Sequence, residues 1–174
     1  VVGIAALGMT MIIILGGIDL SVGSIIALGT VVIALMLGKG INPLAAALLG
    51  VAAGAVCGAF NGLVITKLKV VPFVVTLGTL LAVRGIAKGL ANEQKVDAPV
   101  TWLNDLIASL GPNQKWMIVP PGVWMLIILA FVMAIVLRYT KLGRHNFAVG
   151  SNEQTAGLCG VPVDRVIIVI YAVA

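Results

Sequence analysis

Long apolar runs separated by short polar stretches set the pattern of this chain. A helix crosses a bilayer with about 20 predominantly apolar residues, within a range of roughly 17 to 25. By that measure Val1 to Gly17, Val22 to Leu37, Pro43 to Thr66, Val71 to Ala91 and Met117 to Leu137 read as spans, and a partial one opens at Val166. Pro43 suits a first helical turn, where its missing N–H is not needed. Between the last two apolar runs lies a polar strip, Arg138 to Arg165, RYTKLGRHNFAVGSNEQTAGLCGVPVDR. Within it Ser151 or Asn152 caps a short helix, and Glu153 favours the positive end of that helix. Gln154, Thr155, Ala156, Gly157 and Leu158 continue it, and Gly160 followed by Pro162 stops it. A short helix lying along a membrane face suits insertion into a groove of another protein. A solvated loop is the competing reading.

Composition strengthens the membrane assignment. Of 174 residues 61% are hydrophobic and 10% charged, too few charges to coat a soluble domain of that length. The fold class expected is all-α, a polytopic transmembrane helical bundle forming a single domain over residues 1–174. Its 21 glycines fit closely packed membrane helices. The net charge of +5 comes from basic residues at the ends of apolar runs. That placement sets orientation and gives no nucleic-acid surface. With Arg138, Lys141, Arg144 and Arg165 in the cytoplasm, alternation puts Lys67 and Lys69 there too and Lys39, Lys95 and Lys115 outside. The outer segment Asn92 to Lys115 includes TWLNDLIASL, which reads as an interfacial amphipathic helix, and Trp102, Trp116 and Trp124 fit an aromatic belt. The chain starts and stops inside apolar sequence without an initiator methionine, which reads as a piece of a longer protein.

Enzyme chemistry finds little support. Cys57 and Cys159 lie far apart in different surroundings and give no disulfide framework. One histidine, His145, makes no histidine metal cluster and reads as a solvated loop residue. Cys159 reads as a small apolar contact on the short helix, with no base or orienting acid beside it. There is no GxxxxGK[ST] phosphate loop, no HExxH and no CxxC.

Three features inside the apolar runs stand out. GGIDLSVGS places Asp19 between two spans, where a carboxylate at mid-bilayer costs about 2.5 to 3.5 kcal/mol on insertion scales. One reading is a tight turn near the cytoplasmic surface, with Asp19 or Ser21 capping the helix that starts near Val22. The other is a broken helix buried among its neighbours, with Asp19 structuring the pathway side. Gly50, Gly54, Gly58 and Gly62 recur every fourth residue and make one smooth helix face on which another backbone can approach closely; Gly85 and Gly89 repeat the spacing once. Asn61 sits beside that face and is placed to bond across helices. Arg84 and Lys88 lie in the outer half of a span, either snorkelling to the interface or forming a polar patch at an outer mouth.

Three stretches, GMTMIIILGGIDLSVGS, NGLVITKLKVVPFVVTLGTLLAVRG and LGRHNFAVGSNEQTAGLCGVPVDR, occur in an order that resembles the ribose/xylose-type permeases of bacterial ABC sugar importers. The likeness covers essentially the whole chain. It implies a multi-pass subunit in the bacterial inner membrane that pairs with a second permease copy and passes a monosaccharide. It implies a cytoplasmic ATPase that holds ATP and Mg, with no cofactor in this chain, and a periplasmic sugar-binding protein. In such families a cytoplasmic loop carries a coupling helix that fits a groove on the ATPase. That role falls here on Ser151 to Gly160, centred on Glu153, Gln154, Thr155 and Ala156, where other ABC importers carry Glu-Ala-Ala. Family members are longer, so a C-terminal half is expected beyond this chain. Two rivals remain: an ABC permease for another solute, such as a branched-chain amino acid or a nucleoside, and an ion-coupled secondary transporter. The latter is expected to place several ionisable residues in its spans, where this chain offers Asp19, Arg84 and Lys88.

Overall fold

Helix boundaries fall where proline and left-handed residues punctuate the apolar runs. The structure, a computed structural model, describes residues 2–107 and 120–174. Its helices are α1 (Val2–Ile14), α2 (Val22–Gly38), α3 (Pro43–Leu68), α4 (Pro72–Leu90), α5 (Trp102–Ile107), α6 (Pro121–Tyr139), α7 (Lys141–Ser151), α8 (Glu153–Leu158) and α9 (Val163–Val173). No strand occurs among the described residues, so the fold is all-α. Proline opens α3, α4 and α6, where its fixed φ favours the first turn. The Asn42 side chain accepts from the Leu44 N–H at 2.9 Å and caps α3. The end of α1 is set by Gly16, whose φ of +85° carries the chain out of the helix. Gly16 N–H then donates to Ile13 O and Gly17 N–H to Ile12 O, at 3.0 and 2.9 Å, which satisfies the carbonyls that a helix end leaves open.

Three helices, α3, α4 and α6, are long and apolar enough to cross a membrane, with 26, 19 and 19 residues. At 1.5 Å per residue α3 extends about 39 Å. The helices α1 and α2 are shorter, with 13 and 17 residues. Packing centres on α3, which lies against α2, α4 and α9. The chain descends α1, reverses through residues 15–21 and ascends α2. The reversal follows from the pairings of Gly8 with Ala174, Gly58 with Tyr171, Gly62 with Ile168 and Gly50 with Gly29. Asn61, which meets the turn, stands seven residues before the end of α3, so the turn lies roughly 10 Å inside the bundle from that end.

The row of glycines on α3 serves two neighbours. A Cβ on Gly50 would stand 2.6 Å from Ile33 Cγ1 and one on Gly54 3.3 Å from Ile25 Cγ2, both on α2. A Cβ on Gly58 would fall on the Tyr171 carbonyl oxygen, and one on Gly62 would stand 2.6 Å from Ile168 Cα, both on α9. Gly85 and Gly89 differ: nothing lies within 4 Å of a Cβ at either. The larger core cluster gathers Met11, Ile12, Ile65, Val149, Ala156 and Ile170 where α1, α3, α7, α8 and α9 converge. A smaller one joins Leu28 to Val83 and Ala87.

Several boundaries depart from the hydropathy reading. The first span ends at Ile14, not Gly17, because the Gly16 turn closes it. The fifth run is helical from Pro121 to Tyr139; its opening at Met117 lies outside the described residues. The polar strip 138–165 is more helical than expected, holding α7, α8 and the start of α9, which begins at Val163 with Asp164 in its first turn. His145 accordingly stands half-buried on α7, and Cys159 is exposed at the end of α8. Trp102 and Trp124, each 51% exposed, lie on α5 and α6, which pack together. Lys115, Trp116 and the end of the TWLNDLIASL segment lie outside the described residues.

Candidate functional site

The turn between α1 and α2 carries the densest buried polar chemistry among the described residues. Asp19 is 6% exposed, and its Oδ1 accepts from the Ser21 N–H at 2.7 Å and the Ser21 hydroxyl at 2.6 Å. Asn61 Nδ2 on α3 donates to Ser21 Oγ at 3.0 Å, and the Thr79 hydroxyl on α4 donates to Asn61 Oδ1 at 2.6 Å. Every donor in this series is turned toward Asp19. A carboxylate oxygen that accepts from both the N–H and the hydroxyl of Ser21 suits the end of such a series. No basic side chain forms an ion pair with Asp19 among the described residues. The backbone of the turn is held as well. Leu20 N–H donates to Thr76 Oγ1 at 3.2 Å, and the Tyr171 hydroxyl of α9 donates to Ile18 O at 3.4 Å. Non-helical backbone at membrane depth persists where protein groups satisfy it, and here α4 and α9 supply them.

The chain does reverse, as a turn would, with Gly17, Asp19 and Ser21 buried among helices and Gly16 and Ile18 exposed. Ser21 holds the N-cap position of α2 with helical backbone angles and makes no side-chain cap bond; its hydroxyl goes to Asp19 instead. Ser24, one turn further along α2, is buried with its hydroxyl unpartnered among the described residues. Thr76, Thr79 and Tyr171 did not stand out in the sequence. A threonine inside an apolar run carries no pattern of its own, and the partners lie 18 to 153 positions away.

A second site is built from the polar strip. Ser151 ends α7, and Asn152 alone joins it to α8 with an extended backbone, φ −159° and ψ 106°. Asn152 N–H donates to Ala148 O at 3.1 Å, closing α7, while its side chain accepts from Thr155 N–H at 2.8 Å, capping α8. Glu153 sits in the first turn of α8, where its charge complements the helix dipole. Gly160, at φ +83°, ends the helix; Val161 N–H donates to Ala156 O at 3.0 Å. Ala156 is the buried anchor of α8, whereas Glu153, Gln154, Thr155, Gly157 and Leu158 are exposed, Leu158 by 90%. Glu153 also lines a cavity of about 460 Å³ with Leu15, Gly16, Gly17, Lys69 and Asp164, so open space separates α8 from the buried turn.

Arg84 stands apart from both sites. With Lys88, Glu93 and Gln94 it borders a cavity of about 570 Å³ floored by Gly23, Ala27 and Val31. Among the described residues no His, Cys, Asp and Glu side chains gather as a metal site.

Comparison with known proteins adds a family to this geometry. The chain is 36% identical over 169 residues to the ribose import permease protein of Escherichia coli K12, covering 97% of this chain and 52% of that protein. It is 38% identical over 175 residues to the ribose import permease protein of Bacillus subtilis 168, covering 99% and 52%. It is 36% identical over 176 residues to an inner membrane ABC transporter permease protein of E. coli K12, covering 97% and 51%. The chain thus spans about half the length of the curated relatives it matches. No solved structure matches it. Three helices able to cross a bilayer and an inner-membrane relative make this a multi-pass inner-membrane protein. Residues 1–174 match the model for branched-chain amino acid transport system permease components, and the chain belongs to that family.

Proposed function

We propose that this chain is part of the membrane subunit of an ATP-driven importer of a small sugar, worked by a separate cytoplasmic ATPase that seats on α8. The single observation carrying this reading is α8 itself: a capped, exposed helix joined by one residue to a helix docked on the bundle. A solvated loop needs neither the cap nor the buried Ala156 anchor. The ribose import permeases among the relatives favour a monosaccharide over the amino acid in the family's description. Pairing with a second copy and delivery by a periplasmic sugar-binding protein complete the assembly. The solute passes between spans without covalent chemistry, while the ATPase supplies free energy and α8 receives the motion.

Uptake by the full-length subunit, reconstituted in proteoliposomes with its ATPase and binding protein, tests this. Labelled ribose is expected to accumulate with ATP and to stop when the ATPase is made hydrolysis-dead. Accumulation that continues with the dead ATPase and follows an imposed ion gradient overturns the reading in favour of ion coupling. ATP-driven uptake of a branched-chain amino acid and not of ribose would overturn the solute class alone.

A further inference from the structure

We propose that Asn146 is a positioning residue that fastens α7 to the end of α1, so that movement of α8 reaches the buried turn at Asp19. This rests on the ATPase seating on α8 and adds the route by which its motion enters the spans. Asn146 is fully buried on α7, and its Nδ2 donates to Met11 O on α1 at 3.0 Å. Met11 lies four residues before Leu15, where the turn begins. Two further residues on the same face of α7 complete the fastening. Val149 packs into the core cluster beside Met11 and Ile12. Gly150 brings its backbone against the Ile14 carbonyl so closely that a Cβ there would overlap the oxygen. Positions i, i+3 and i+4 form one helix face.

Stability alone does not account for Asn146. The Met11 carbonyl already accepts from Leu15 N–H at 3.1 Å, so it has no need of the amide. The amide oxygen Oδ1 of Asn146 is buried and has no hydrogen-bond partner among the described residues. A buried acceptor without a donor costs free energy. Leucine would fill similar space without that cost. What the amide supplies is a directional grip on the last turn of α1.

The geometry on either side suits a lever. Asn152 joins α7 and α8 with no slack: it closes one helix through its N–H and caps the other through its side chain. On the far side, residues 15–20 are non-helical, bonded to α4 through Thr76 and to α9 through Tyr171, and Ser21 just after them is bonded to α3 through Asn61. The cavity of about 460 Å³ beside Gly16 and Gly17 leaves them room to shift. Coupling between sites requires an element with discrete arrangements that both ends bias, and we assign that part to the turn.

The test uses the complete transporter with Asn146→Leu and the milder Asn146→Ser. Three quantities are read: the amount of assembled complex, basal ATP hydrolysis, and the number of solutes imported per ATP in the presence of loaded binding protein. Both variants are expected to assemble and hydrolyse ATP within twofold of the wild type, while solutes per ATP fall at least tenfold. A ratio within twofold of wild type in both variants overturns the proposal. So does loss of assembly in both, because Asn146 would then be needed for the fold and not for transmission. A wild-type complex that shows no ATP-driven uptake would instead refute the importer reading itself.

Discussion

Leucine in place of Gly58 is expected to remove most of the folded protein from the membrane. The Cβ of any larger residue at this position would fall on the Tyr171 carbonyl oxygen, with Ala172 Cα 3.2 Å away. These are backbone atoms of α9, so no rotamer change makes room, and α3 and α9 must part. Overpacking a well-filled core costs about 1–3 kcal/mol when side chains can adjust. Here the obstacle is backbone, and the contact joins the two helices that pack most extensively. A cost of at least about 3 kcal/mol is expected, and each ~1.4 kcal/mol is roughly a tenfold change in equilibrium. Ala47→Leu on the same helix is half-buried and is expected to be tolerated. So is Gly85→Leu, where nothing lies within 4 Å of the added Cβ. Monodisperse protein recovered in mild detergent is the measurement. Equal recovery of all three variants would show that the close approach of α3 and α9 is not a condition of folding.

The second large effect is expected at Asp19. Asp19→Leu leaves the N–H and the hydroxyl of Ser21 without their shared acceptor. An unsatisfied buried donor costs about 1–3 kcal/mol, so the pair amounts to roughly 2–6 kcal/mol. An opposing effect favours the variant, because an aspartate is itself costly in the bilayer, by about 2.5–3.5 kcal/mol on insertion scales. The first effect wins because those scales describe an unsupported side chain, whereas this carboxylate is enclosed by protein and already hydrogen-bonded. Asp19→Asn keeps an amide oxygen at the accepting position and is expected to cost less than about 1.5 kcal/mol. Thermal unfolding in detergent should therefore rank wild type above Asn and Asn well above Leu. A leucine variant as stable as the wild type would mean that the polar series does not hold the turn.

The parts of this molecule that were legible in the sequence are those governed by neighbours in the chain. Proline at the start of α3 and glycine at the end of α8 mark boundaries by backbone chemistry. The cap of α8 by Asn152 follows from the four residues Asn152 to Thr155. What depends on distant partners leaves no local pattern. The helix α7 buries Gly143, Asn146 and Val149, and two of these three are not apolar, so its inward face gave no hydrophobic period. By its pattern it reads as part of the polar strip. The glycine row on α3 was visible as a smooth face, but its division between α2 and α9 was not, since spacing says nothing of which helix approaches. Asp19 and Asn61 stand out as polar residues in apolar surroundings. Thr76 and Thr79, which complete the same network, do not, because threonine is unremarkable in a membrane helix and its partners lie on other elements.

The central claim is that a separate ATPase grips α8. Cysteine placed at Gln154, with Cys57 and Cys159 replaced by serine, tests it most directly in the intact complex. Gln154 is exposed on α8, beside the Glu153 that lines the cavity leading to the turn. Under a short bifunctional cross-linker the account predicts a covalent adduct between the full-length subunit and its ATPase, formed from the inner side of the membrane. A cysteine that stays freely reactive to a water-soluble reagent in the assembled complex, and never joins the ATPase, would contradict it.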